Sequence, residues 1–244
     1  MKKKVLAVLL GGCMVAGLVA GCGNSDDGQN AENEGGEGGG YHFEVVVKSF
    51  QSTYWQAAIQ GIEAAEEEFG VTTNTTGPNA ESDIADQVNM LNNAISQNPD
   101  GIALAACDQN SVLEALQDAL DADIPVVCFD TGVPNAPEGS VIATVVTDNE
   151  SAGAVAAENM YPVIKDAIAN ATEQVRIGEV NQDATSANIT GRGMGFINKM
   201  KELIEADGKT VAVIGNQYYV DLVENNGDEA TADVIIEVAV PAQT

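Results

Sequence analysis

From residue 43 onward the chain alternates between two hydrophobic periodicities. Residues 43–48, FEVVVK, are an apolar β-branched run of strand length. Behind it Trp55, Ile59, Ile62 and Phe69 recur on one face of a helix that stops at Gly70. The same step predicts strand then helix at 71–76 and 81–97, and again at 101–106 and 111–122, with further strands at 125–129 and 141–146. After Thr147-Asp148-Asn149 the pattern restarts with a long helix from Glu150, which Tyr161-Pro162 is expected to kink. A strand at 174–180, a helix at 187–206 and strands at 210–215 and 234–240 complete it. Strands alternating with helices predict right-handed β-α-β units and parallel sheets covered on both faces. The expected fold is therefore α/β with two doubly wound parallel-sheet lobes, residues 41–147 and 148–244. Three strands with no helix after the last do not complete a parallel sheet whose two faces must be buried. The second lobe is thus expected to be incomplete and the chain a fragment.

The first 40 residues read differently. Lys2, Lys3 and Lys4 precede an apolar run at 5–20 interrupted only by glycines, the order of a secretory signal, expected over residues 1–21. A membrane-spanning anchor is the alternative, but it needs ~20 predominantly apolar residues. The stretch LVAGC, ending at Cys22, resembles the bacterial lipobox, in which cleavage precedes the cysteine and its thiol carries diacylglycerol. Acyl chains contribute about 0.8 kcal/mol per buried methylene, so Cys22 is expected to tether the protein to a membrane surface. Residues 23–40 have no apolar side chain beyond Ala31, so they are expected to form a flexible acidic, glycine-rich linker.

Charge then narrows the partners. Ten basic residues against 37 acidic give a net charge of -27, a surface that repels nucleic acid and aids solubility. The single histidine, His42, borders the linker, which removes His-based metal clusters and most nucleophile-His arrangements. No cofactor, metal or catalytic residue is expected. Cys107 and Cys128 lie in apolar runs and are read either as buried thiols or, if their strands are neighbours, as a disulfide.

In an open doubly wound sheet the ligand crevice lies beyond the carboxyl ends of the strands. That nominates residues 49–55, 77–79, 107–110 and 130–131 in the first lobe and 181–185 and 215–217 in the second. They are rich in Asn, Gln, Asp, Ser and Thr and include two adjacent aromatics, the mixture that suits a polyol. Several have a plainer reading. Trp55 shares the helical phase of Ile59 and Ile62 and could be core, whereas Tyr54 is out of phase and free to face a cleft. Ser52 or Thr53 could cap the helix, and Asp108 is placed to cap the next one at Ser111. Asp130 follows the apolar run IPVVCF, and a carboxylate there must find donors. GRGMGF at 191–196 lies inside a helical stretch, not in a turn after a strand, which argues against a dinucleotide fingerprint.

From Phe43 to its end the chain resembles the type 1 periplasmic sugar-binding proteins of the ribose- and galactose-binding kind. The likeness is carried by SFQSTYWQAAIQGIEAAEEEFGV, NPDGIALAACDQNSVLEAL, ADIPVVCFDTGVP, VVTDNESAGAVAAENM and QDATSANITGRGMGFI. It implies two similar lobes, joined by crossing strands, that close over one monosaccharide and hand it to an ABC permease. By position, Tyr54 and Trp55 match an aromatic pair that sandwiches the sugar, Ser52 a polar contact and Asp130 the aspartate that takes sugar hydroxyls. Asp148 lies at the first crossover. Thr131 stands where ribose binders carry arginine, and Thr190 where a second arginine is expected; Arg192 could substitute if the alignment slips. Loss of both cationic forks argues against ribose itself. The resemblance also implies further chain after Thr244, so a chain ending there is expected to bind weakly. The expected protein is thus a monomeric, non-enzymatic lipoprotein on the outer face of the cell membrane. Its partners are a small sugar and an ABC permease or, in a second reading, a membrane receptor in place of the permease.

Overall fold

The structure, a computed structural model, describes residues 40–241. The signal, Cys22 and nearly all of the linker expected from the sequence lie outside the described residues.

Two parallel sheets organise the chain. The first comprises β1 (His42–Val46), β2 (Thr72–Thr76), β3 (Gly101–Leu104), β4 (Val126–Phe129) and β5 (Val141–Val145), in the order β2-β1-β3-β4-β5. The second comprises β6 (Val175–Val180), β7 (Val211–Gly215) and β8 (Val234–Ala239), in the order β6-β8-β7. All six pairings are parallel. The helices are α1 (Thr53–Phe69), α2 (Ile84–Ser96), α3 (Leu113–Asp121), α4 (Asn149–Asn170), α5 (Ala187–Ala206) and α6 (Gln217–Leu222).

Strand alternation explains why the central strands read as unbroken apolar runs. In β1 and β3, Val46, Ile102 and Leu104 enter the core under α2 and α3, while Val45 and Ala103 face Trp55 and Ile62 of α1 on the opposite side. In β8, Val234, Ile236 and Val238 join one core and Ile235 the other, which is why this run sits in the middle of its sheet. Helix α1 starts where Ser52 accepts the Tyr54 N–H and ends at Gly70, whose φ of 65° supplies the left-handed cap.

The structure adds to the sequence reading at four points. His42 is the first residue of β1, two residues past the expected linker, and its ring bonds Thr72 Oγ1 at 3.0 Å. Helix α4 continues through Pro162 as one element. The short helix α6 was not expected; it is only six residues long and carries too few apolar positions to show a period. Cys107 and Cys128 are free and buried, which settles their alternatives in favour of thiols; burial pushes the Cys107 thiol up to about 12, so it stays protonated.

The glycines of α4 and α5 explain how these two helices pack. Gly153 faces the backbone of Arg192 and Phe196, and Gly195 faces the backbone of Glu150, with no room for a Cβ at either. The GRGMGF stretch is therefore a packing surface within α5, in keeping with its helical reading. Among the described residues, no helix is long and apolar enough to cross a membrane.

Candidate functional site

The carboxyl ends of both sheets open on one cavity of about 310 Å³. Lys48, Ser52, Glu81, Asp130 and Thr147 line it from loops of the first lobe with Tyr54 and Trp55 from the first turn of α1, and Gln182 from the loop after β6 with Asn188, Ile189 and Arg192 from α5 line the other side. The volume is at the low end of the ~300–1,000 Å³ range of small-molecule sites, which suits one sugar ring better than a chain of them.

Asp130 is the centre of the polar network. It follows β4 with a φ of 58°, a left-handed conformation that a non-glycine residue adopts at a cost, and its N–H donates to Val145 O at 3.0 Å. Its Oδ1 accepts from Tyr54 Oη at 2.6 Å; its Oδ2 accepts from Thr131 Oγ1 and from Asn188 Nδ2, each at 3.0 Å. The strained turn thus aims one carboxylate at donors from both sheets. The hydrogen bond to Asp130 pushes the Tyr54 phenol up to about 12, so it donates at neutral pH.

Of the aromatic pair, Tyr54 is 58 % exposed and Trp55 is 1 % exposed. Their rings are 5.0 Å apart and nearly perpendicular, at 88°. No sugar ring fits between them, so the expected sandwich is corrected: Tyr54 presents an open face, while Trp55 packs on the core against Phe129 and reaches the cavity only at its edge. Ser52 caps α1 and also lines the cavity. Thr131 is fully buried behind Asp130 and accepts a long bond from Lys48 Nζ at 3.4 Å. Thr190 does not line this cavity. Its hydroxyl donates back to Ser186 O at 3.0 Å inside α5, and the residues of that helix that reach the cavity are Asn188, Ile189 and Arg192. Arg192 is in the cavity wall and donates to Asn149 Oδ1 at 2.5 Å. Asp148 caps α4 by accepting from Ser151 N–H at 3.1 Å, and Asp108 accepts from Ser111 N–H at 2.7 Å.

Five lining residues were missed in the sequence, Lys48, Glu81, Thr147, Asn188 and Ile189, whereas Gln182 lies in the nominated stretch 181–185. Lys48 is 2 % exposed, yet among the described residues its ammonium has only long contacts, to Thr131 and, at 3.5 Å, to Glu81 Oε2. Glu81 accepts from Trp55 Nε1 at 2.8 Å and from Gln182 Nε2, across the cleft, at 2.9 Å. The available signal was a lysine directly after three valines, since a charge at the end of a buried run needs a partner. The cleft therefore offers carboxylates, a phenol, amides and two cations at close quarters, a surface that matches hydroxyls as both donors and acceptors.

Behind this wall lies Glu179, on β6. Its Oε1 accepts from Asn181 Nδ2 at 2.7 Å and its Oε2 is buried without a partner among the described residues. Burial, partly offset by the Asn181 bond, pushes its carboxyl up to about 7. An unfolded glutamate ionises near ~4.3. Between those values the native state holds a proton the unfolded chain releases, so this contribution to stability is complete below about pH 4.3 and is lost as pH rises to about 7. Glu179→Gln is expected to raise stability over the wild type by about 1–2 kcal/mol at pH 8, after discount for partial solvent exposure, and by little at pH 4. Urea midpoints at the two pH values measure this.

Residues 43–238 match the family model described as the periplasmic binding protein domain. Over 169 residues the chain is 24% identical to the ABC transporter periplasmic-binding protein YphF of Escherichia coli (strain K12), covering 67% of this chain and 48% of that protein. Among solved structures it is similar to an ABC transporter, LacI family transcriptional regulator from Brachyspira murdochii, at 33% identity and a TM-score of 0.63, covering 83% of this chain and 58% of that one. It is also similar to an ABC transporter solute binding protein from Agrobacterium vitis with bound D-fucose, at 27% identity and a TM-score of 0.59, covering 73% and 68%. The chain spans about half the length of the curated relative it matches. Two parallel sheets that share one cleft at their carboxyl ends, and a match that runs from β1 to β8, have one reading: the chain belongs to the periplasmic binding protein domain family.

Proposed function

We propose that this protein is an extracytoplasmic solute-binding lipoprotein that captures a small sugar between its two lobes and delivers it to an ABC permease. One observation carries the reading: Asp130 accepts hydrogen bonds from Tyr54 of its own lobe and from Asn188 of the other. A ligand hydroxyl in the cavity can replace or join those donors, so contact with both walls is complete only when the lobes are shut. That difference in contacts is what drives closure. Lys48, Glu81, Gln182 and Arg192 extend the polar lining, and the open face of Tyr54 suits the C-H face of a sugar ring.

Family members are non-enzymatic solute binders, in keeping with the absence of an acid-base constellation in the sequence reading. The D-fucose of the Agrobacterium vitis relative supports a monosaccharide as the ligand class. Signal cleavage before Cys22 and its acylation would hold the protein at the outer face of the cell membrane as a monomer. The test is a thermal-shift screen of the full-length protein with pentoses, hexoses and polyols. Stabilisation by at least one is expected, and roughly 2–3 kcal/mol at a hundred-fold excess over Kd follows from mass action. Stabilisation by none of them would overturn the reading.

A further inference from the structure

A second set of lobe-to-lobe bonds lies outside the cavity. The Gln109 N–H donates to Thr185 O at 3.2 Å, Gln109 Nε2 donates to Tyr218 Oη at 3.4 Å, and Thr185 Oγ1 donates to Cys107 O at 3.3 Å. None of Cys107, Gln109, Thr185 and Tyr218 lines the cavity. Both halves of this contact are pinned from within. On the first lobe, buried Gln87 accepts from the Cys107 N–H at 2.7 Å and donates to Val47 O and Ala105 O, at 3.1 and 2.9 Å. On the second, buried Asp183 accepts from the N–H groups of Thr185 and Ser186, at 3.0 and 2.9 Å, and its carbonyl accepts from Tyr219 Oη at 2.9 Å. Buried polar side chains that satisfy several backbone groups at once fix loop geometry, and here they fix it on both sides of one junction.

We propose that Gln109, Thr185 and Tyr218 form a ligand-independent latch that sets the balance between open and closed lobes, and so tunes affinity without touching the solute. The proposal rests on the solute-binding reading above for its consequence but not for its geometry. The latch residues are positioning residues: they determine how often the two cavity walls face each other. When the binding-competent state is only a fraction of the population, apparent affinity falls in proportion to that fraction. Two side-chain bonds lost from the closed state alone would lower the closed-to-open ratio on the order of ten-fold.

The test uses the full-length protein carrying Thr185→Val and Tyr218→Phe, which keep shape and leave Gln109 in place. Its reporter is the Gln109 amide, whose hydrogen bond crosses the junction and whose hydrogen exchange measures opening directly, without any sugar. The Ile102 amide, bonded to Pro125 O at 2.9 Å inside the first sheet, is the control. Exchange at Gln109 is expected to rise with Ile102 unchanged and affinity for a bound monosaccharide to fall, the two factors multiplying to on the order of ten-fold because both read one open-to-closed ratio. Unchanged exchange at Gln109, or an equal rise at both amides, would overturn the latch. If no sugar binds the wild type, the solute reading fails while the exchange measurement still decides the latch.

Discussion

Gly153→Ala or Gly195→Ala is expected to lower the melting temperature by roughly 6–12 °C, the effect of overpacking by about 3 kcal/mol in a domain of this size. A Cβ at Gly153 would overlap the carbonyl oxygen of Arg192, and one at Gly195 the carbonyl oxygen of Glu150. These are backbone atoms of well-formed helices, so no rotamer change can relieve the overlap; α4 and α5 must move apart. Alanine is otherwise the better helix former by up to ~1 kcal/mol, so propensity alone predicts the opposite sign. Thermal unfolding followed by circular dichroism decides between them. Gly61 of α1 has open space where its Cβ would stand, and Gly61→Ala is the control expected to leave stability unchanged or raised.

The second large effect is on binding. Asp130→Gly is expected to weaken sugar affinity roughly 100-fold or more, because it removes the charged acceptor and leaves Tyr54 Oη and Asn188 Nδ2 without their partner. Glycine is the residue that holds a φ of 58° without strain, so the turn after β4 is retained and the melting temperature stays within a few degrees of the wild type. Isothermal titration set beside thermal unfolding separates the two quantities. Equal losses of affinity and stability would mean that Asp130 serves the fold and not the ligand.

Much of the fold was legible because parallel strands buried on both faces leave long apolar runs, and helices leave a 3.6-residue period. VVV before Lys48, the phase of Trp55 with Ile59 and Ile62, and Gly70 as a stop all correspond to observed features. Strand order in the second sheet was not legible, since β8 comes last in the chain yet pairs between β6 and β7. The site was legible in part. The rule that ligands meet strand ends nominated Ser52, Tyr54 and Asp130, but direction within a helix needs the backbone: Thr190 and Arg192 are two residues apart, and only Arg192 reaches the cavity. Glu81 and Gln182 are 101 residues apart in sequence, and no local pattern announces that they meet. Asn188 lies outside the stretches that rule nominated, yet it bonds Asp130 across the cleft.

A hydroxyl-rich solute is proposed to be gripped between the two sheets beside Asp130. The chain has a single tryptophan, Trp55, whose indole edge lines that cavity and whose Nε1 donates to Glu81. Its emission therefore reports on one place. Titration of the full-length protein with monosaccharides is expected to give, for at least one of them, a saturable change in Trp55 fluorescence at one sugar per chain, and the change is expected to vanish in Asp130→Gly. A flat response to every pentose, hexose and polyol, or a response that survives in Asp130→Gly, would contradict the account.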